Sequence, residues 1–415
     1  MSLKALGRVF LTALLLFSFA QPTSASDLIA VPISDNIQRL HMPYGTILDP
    51  VFASSDPASP NYSEVISYAR AGDSAIWTGH YLAAEAFRYR ATGSPDALAN
   101  AWRVVRGIRS LINVTGTGVL ARCLVPVDSP YAAAIQAEEG RHGIFYNTLD
   151  GVNFFWIGNT SRDQYSGVMF GLSVAYDMID DAAMRDFIRS DVTDILNYLL
   201  ARNWSVVMPD GRISTTFLHR PDQILALLQI GRQINPGFGW VYSLYRFRYA
   251  SSVGLPIFFD GIDDHNHYFK FNLNTINLYS LVRLESSTSS YRRHYMGAYE
   301  SLRRTTEGHG NAHFNMIDRA LRGESGGRDA ETLALLDLWL QRPRRDVWID
   351  VRATYAACDT DRACAPIPAN DRVNTDFLWQ RSPFLLFGGG AGIIENSGID
   401  YILPYWMARA EGLVH

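Results

Sequence analysis

An alternation between two kinds of helical pattern constrains this chain more than any other feature. From about residue 61 onward, helices that are apolar on most faces alternate with helices that carry a single apolar stripe. A helix apolar all round must be buried, and a striped one lies outside it with its polar face in water. Repeated along one chain, that alternation predicts two layers of helices, an inner and an outer.

The first pair is the clearest. Trp77, Tyr81, Ala84 and Phe87 recur at steps of four and three and mark a helix over about 74–92. Gly93, Ser94 and Pro95 end it, and the proline suits the first turn of the next helix. That second helix, about 95–112, shows one stripe of Leu98, Trp102, Val105 and Ile108. Further pairs read as 163–178 with 181–202, 221–232 with 240–250, 265–284 with 289–306, and 309–321 with 329–340. A last helix, about 400–411, has no following partner, and the stretch ending at Ala71 (SEVISYARA) would supply one by closing the ring. Long inserts at about 113–160 and 342–398 break any fixed period, which argues against a solenoid. Their Gly, Pro and β-branched residues suit short strands. Residues 26–60, rich in Pro and Ser, read as an extended arm. The expected fold class is all-α: an (α/α)6 toroid of helical hairpins forming one domain, 61–415, with an N-terminal extended arm and two long loop inserts.

The starts of the inner helices resemble those of the six-hairpin, or (α/α)6 toroid, superfamily of carbohydrate-active enzymes. The strings that carry the likeness are 73–81 (DSAIWTGHY), 162–167 (RDQYSG) and 400–406 (DYILPYW), and it spans about residues 61–411. The resemblance implies the toroid and an oligo- or polysaccharide substrate. It is one of architecture and singles out no individual family, and fold alone does not give a reaction.

The N-terminus points to export. Lys4 and Arg8 lead into an apolar run at 9–20 (VFLTALLLFSFA), and Thr23, Ser24 and Ala25 follow. Basic, apolar, then small is the order of a cleavable secretory signal, here 1–25. A run of about 12 residues is short of the ~20 that span a bilayer, and no later segment is apolar enough to span. The expected location is secreted or periplasmic. Export makes a local bridge between Cys358 and Cys364 chemically reasonable and leaves Cys123 as a buried free thiol. A net charge of -4 without any basic run argues against nucleic acid as a partner.

In a closed ring of hairpins the inner helices run the same way, so their N-termini collect at one rim. The acidic residues there are Asp73, Asp163, Asp222, Asp264, Glu307 and Asp400. Glycoside hydrolysis needs two carboxylates across a sugar: one protonates the leaving oxygen and the other acts as base or nucleophile. Asp73, Asp163 and Asp264 are the catalytic candidates. An Asp at a helix start is also an ordinary cap, and Ser161 with Gln164 fits a capping box. The paired strings 162–164 (RDQ) and 220–223 (RPDQ) exceed what a cap requires. Arg, Asp and Gln together suit a hydroxyl-rich ligand, and Arg–Asp pairing between neighbouring helices is the structural alternative. Trp77, Arg162, Gln164, Tyr165, His267, His313, Trp379 and Arg381 are the candidate substrate contacts. Trp379 and Arg381 belong to a segment (DFLWQRSP) that reads as a loop reaching over the rim.

The densest polar cluster is 260–268 (DGIDDHNHY). It reads as a catalytic loop, as a metal site of Asp263, His265 and His267 completed by His309 and His313, or as a hydrogen-bonded turn. No HExxH or comparable spacing is present, so neither a metal nor a cofactor is assigned. A glycoside hydrolase is the leading expectation. A polysaccharide lyase or uronate-acting enzyme, with His267, Tyr268 and Arg162 central, is the first alternative. A non-catalytic glycan-binding or envelope structural protein is the second.

Overall fold

The computed structural model describes residues 25–55, 64–263, 268–374 and 379–415. The expected signal segment, apart from Ala25, lies outside them, as do Asp264 and His267.

In chain order, helix α1 (Asp27–Asn36) and strands β1 (Asp49–Phe52) and β2 (Val65–Ala69) precede the hairpin α2 (Ser74–Thr92) and α3 (Pro95–Asn113). The first insert holds β3 (Cys123–Pro126), α4 (Ala132–Glu139), β4 (Ile144–Leu149) and β5 (Val152–Ile157). Next come α5 (Arg162–Met178), α6 (Ala182–Ala201), β6 (Ser205–Val207), β7 (Ile213–Thr216), α7 (Pro221–Ile234), α8 (Gly239–Tyr249) and α9 (Gly254–Asp260). Then follow α10 (Phe269–Leu284), α11 (Arg292–Thr306), α12 (Ala312–Arg322) and α13 (Gly326–Leu340). The second insert carries β8 (Arg345–Asp350) and β9 (Phe387–Glu395), and α14 (Ile399–Ala410) ends the series.

Six of these helices form a closed ring: α2 packs on α5, α5 on α7, α7 on α10, α10 on α12, α12 on α14, and α14 back on α2. Outside them, α3, α6, α8, α11 and α13 each pack on the inner helix before them. This is the expected all-α toroid of hairpins. The burial follows the sequence pattern. In α10 every residue from Phe271 to Val282 is buried, whereas α3 buries Ala101, Val104, Val105 and Ile108 and turns Asp96, Arg103 and Arg106 outward.

The ring closes differently from the expectation. The stretch SEVISYARA contributes β2, and the outer helix beside α14 is α1. The arm at 26–60 therefore does not begin extended: α1 runs through Pro32 into a π-helical turn, Ile37–His41. An interior proline costs a helix roughly 3 kcal/mol. Burial of Ala30, Ile33 and Ile37 offsets it, as does Asp27, which accepts from Tyr405 Oη at 2.5 Å and pairs with Arg409 at 3.1 Å. Packing against α14 overrides the local signal.

Both inserts hold short strands. The first forms an antiparallel sheet, β3-β5-β4. The second adds β9 and β8 to the N-terminal strands in the order β2-β1-β9-β8, so the two ends of the chain share one sheet. Cys358 and Cys364 are bridged, and Cys123 is a buried free thiol. Among the described residues no helix is long and apolar enough to cross a membrane.

Between α2 and α5 the two backbones touch. A β-carbon on Gly79 would lie less than 3.0 Å from the carbonyl of Gly167, and one on Gly171 equally close to the carbonyl of Gly79. Gly171→Ala is accordingly expected to lower stability by about 1–3 kcal/mol or more, as overpacking does. Gly297→Ala, on the exposed side of α11 with nothing within 4 Å of the new carbon, is expected to be stabilising by roughly 0.5–1 kcal/mol. Urea midpoints of the two variants against wild type check the contrast.

Candidate active site

Asp73 stands at the N-terminus of α2 and Asp163 in the first turn of α5. At neither α2 nor α5 does the N-cap residue's own side chain bond back to the helix, so the expected capping box of Ser161 and Gln164 does not form. Ser161 Oγ donates instead to Asp163 Oδ1. Gln164 reaches across to α2, accepting from the Ile76 amide at 3.0 Å and donating to Asp73 Oδ1 at 3.1 Å. Arg122 completes the connection: its Nη1 lies 3.6 Å from Asp73 Oδ1 and its Nη2 donates to Ser161 Oγ at 2.8 Å. The two carboxylates thus belong to one hydrogen-bonded rim, and Asp73 keeps 32% of its side chain exposed. The glycine contact makes this possible, because only helices that close bring their N-termini within the reach of a glutamine.

The second Arg-Asp-Gln string is used internally. Arg220 grips Asp222 with two bonds of 3.0 and 2.8 Å, Asp260 at 2.7 Å and Asn274 at 2.6 Å. Burial pushes the Asp222 carboxyl up, and Arg220 offsets this only in part. Here the structural alternative holds. Arg162 differs: it donates to the Thr216 carbonyl at 3.0 Å, and burial together with the neighbouring Arg220 lowers its guanidinium below the usual range.

Deeper along the axis lies a pair of histidines. His80 Nδ1 donates to the Ile76 carbonyl at 2.8 Å, which leaves Nε2 to accept from Asn272 at 3.2 Å. That pattern fixes the neutral tautomer, and burial drives the imidazole down to about 4. The His313 ring is 6.2 Å from His80 and stacks on Trp379 at 4.4 Å. It is fully buried, neither ring nitrogen has a hydrogen-bond partner, and burial holds it far below an ordinary histidine. Trp77 borders the same group, 5.1 Å from His80 and 6.4 Å from Trp379. The buried amide of Gln223 and the Oδ1 of Asn272 are likewise unpartnered. Buried polar atoms are nearly always satisfied, so each of these unpartnered groups calls for a specific reason.

The second insert covers this mouth. Gln380 donates to Asp73 at 3.4 Å, and Trp379 lies over His313. Arg372, brought down to about 10 by burial, fastens the insert to the loop before α12 through the carbonyls of His309 and Gly310, at 2.5 and 2.9 Å. Arg381 is exposed beside Gln380. Tyr165 is placed elsewhere: fully buried, it accepts from the Leu120 amide at 3.1 Å and packs edge-on against Phe217, inside the body. Among the described residues no three His, Cys, Asp or Glu side chains converge as a metal would require. Sequence reasoning missed His80, Arg122, Asn272 and Gln380. His80, three residues after Trp77 on a buried helix, carried a faint signal; Arg122 carried none.

No protein-family model matches the chain, and no curated protein matches it in sequence. Among solved structures, cellobiose 2-epimerase from Spirochaeta thermophila DSM 6192 is similar over 94% of this chain and 98% of its own, at 9% identity and a TM-score of 0.44. Likeness at that level carries no statement about activity or site residues.

The buried histidines set a pH dependence. An unfolded His titrates near 6.5, but His80 in the fold does so at about 4. Between those values the unfolded chain binds a proton that the native chain does not, so stability is full above pH 6.5 and falls as the pH drops towards 4. For His80 the loss at pH 5 is about 2 kcal/mol. Unfolding free energies from urea titrations at pH 7.5 and 5 are expected to differ less in His80→Gln than in wild type, by about 2 kcal/mol.

Proposed function

We propose that the protein is a carbohydrate-active enzyme, a glycoside hydrolase that works at the N-terminal rim of the toroid with Asp73 and Asp163 as its carboxylate pair. The observation that supports the reading is their shared network through Gln164, Arg122 and Ser161. Neither is engaged as a cap, and neither is locked in a buried ion pair as Asp222 is. Arg122, Gln164 and Gln380 all direct donors at Asp73. Donors favour a charged carboxylate, so Asp73 takes the base or nucleophile role. Asp163 is the partner that protonates the leaving oxygen. Arg162 and Gln380, both partly exposed, would meet sugar hydroxyls; Trp77, Trp379 and Gln223 are buried and would back the site from beneath, and Asp264, His267 and Arg381 remain candidate contacts from the flanking loops. An exported location fits a polymeric substrate.

A lyase or other proton-transfer reaction on a sugar is the second reading. The buried, neutral and unpartnered His313 beside His80 favours it. A neutral imidazole can abstract a proton from carbon, and Arg162 would neutralise a uronate carboxylate.

One assay separates the readings. The purified protein is incubated with a glycan panel while new reducing ends and the ultraviolet absorbance of unsaturated uronates are followed together. A hydrolase yields reducing ends without absorbance, a lyase yields both, and a binding protein yields neither. Asp73→Asn and Asp163→Asn are each expected to lower turnover by roughly 10²–10⁴ with the unfolding midpoint little changed. Activity that survives both substitutions removes the pair from the mechanism, and an Asp264→Asn variant tests the third candidate.

A further inference from the structure

Helix α8 breaks the pattern of the outer layer. On α6 the outward positions hold Asp186, Ser190, Asp194 and Asn197. On α8 they hold Trp240, Leu244 and Phe247, which are 74%, 50% and 80% exposed, while Tyr242 on the inward face is fully buried. The solvent side of the helix thus carries three large apolar side chains beside Ser243 and Arg248. The next helix in the chain, α9, is exposed in the same way: Leu255, Phe258 and Phe259 are 59%, 60% and 65% exposed, and Ile262 just beyond is 68% exposed; Tyr249 at the end of α8 shares a groove with Leu255 and Phe259.

The size of this face is informative. The exposed aromatic side chains of α8 and α9 alone, Trp240, Phe247, Phe258 and Phe259, offer on the order of 600 Å². The largest apolar patch of an ordinary monomer is about 300–600 Å². Adding the leucines and the isoleucine brings the face to the scale of one side of a stable protein interface, ~800 Å².

Its shape and charge narrow the partner. The exposed Leu255 and Phe259 themselves line an apolar groove of about 320 Å³ between α7 and α9, walled also by Ile224, Tyr249 and Pro256. Projections and a matching groove on one face are what a self-complementary, two-fold interface needs. A lipid surface would instead select a rim of free basic residues. Residues 239–259 contain no acidic residue and only two arginines. Of these, Arg246 is bound to Glu285 at 3.1 Å, and the nearby Lys270 faces Asp260 at 3.6 Å. Arg248 is the exposed arginine that remains on α8.

We propose that the face formed by α8 and α9 docks a second copy of this chain, making the protein a two-fold symmetric homodimer. Neither Asp73 nor Asp163 lies on that face, so the dimer and the catalytic reading stand or fall separately.

Sedimentation velocity tests it directly. Wild type is expected to sediment as a dimer that dissociates on dilution, and Phe247→Glu and Trp240→Glu as monomers with unchanged thermal midpoints. A monomer at every accessible concentration overturns the proposal. A dimer unaffected by both substitutions does so too, because the interface then lies elsewhere. Should either variant misfold, hydrogen exchange on wild type decides. Protection across 240–259 that rises with protein concentration supports the interface, and protection independent of concentration refutes it. Monomeric wild type that co-sediments with phosphatidylglycerol vesicles assigns the face to a membrane surface instead.

Discussion

The contact between the backbones of α2 and α5 holds the functional end of this molecule in register. Gly79, Gly167 and Gly171 carry no side chains, so dispersion contacts between main chains replace the usual interlocked side chains. With the helices this close, Gln164 can span from α5 to the Ile76 amide and Asp73 on α2. A methyl group at any of these glycines would push the helices apart, and a glutamine has no length to spare. The rim network and the inner ring therefore rest on the same few ångströms.

Parallel inner helices also impose an electrostatic constraint. Their N-terminal partial charges gather at one mouth, which favours carboxylates and anions there. The chain meets this in two ways. At α7 the carboxylate is buried and balanced, with Asp222 and Asp260 on either side of Arg220. At α2 and α5 the carboxylates stay near the surface, joined by neutral donors and one arginine. A buried ion pair adds rigidity and gives up chemistry; a partly exposed carboxylate keeps access to solvent and ligand. The second insert then roofs the mouth, with Trp379 over the histidines and Gln380 on Asp73.

Much of the architecture was legible because burial leaves a periodic trace. Each expected hairpin, from α2 with α3 to α12 with α13, lies where the apolar spacing put it. The failures share one cause. Pro32 and the surrounding serines read as extended chain, yet packing beside α14 makes the segment helical; SEVISYARA looked able to close the ring, yet it pairs as a strand with β1. Neither segment has a strong period, so its neighbours decide. In the site, Asp73, Asp163 and Gln164 were recognisable as helix-start residues, and Trp379 as part of a covering loop. Tyr165 shares its string with Gln164 but points into the body, and the matching RDQ and RPDQ strings have different fates.

The sequence by itself determined which helices lie inside, which lie outside and where the polar rim must fall, because hydrophobic periodicity is a local property that any packing has to respect. Tertiary structure alone decided which polar groups are engaged and which are free. Gln164 caps a helix start 88 residues away, Arg220 binds an aspartate 40 residues on, and His313 meets Trp379 with no partner for its nitrogens. Hydrogen bonds act over about three ångströms and depend on direction. Their pairing is set only once the ring has closed and distant segments share the same space.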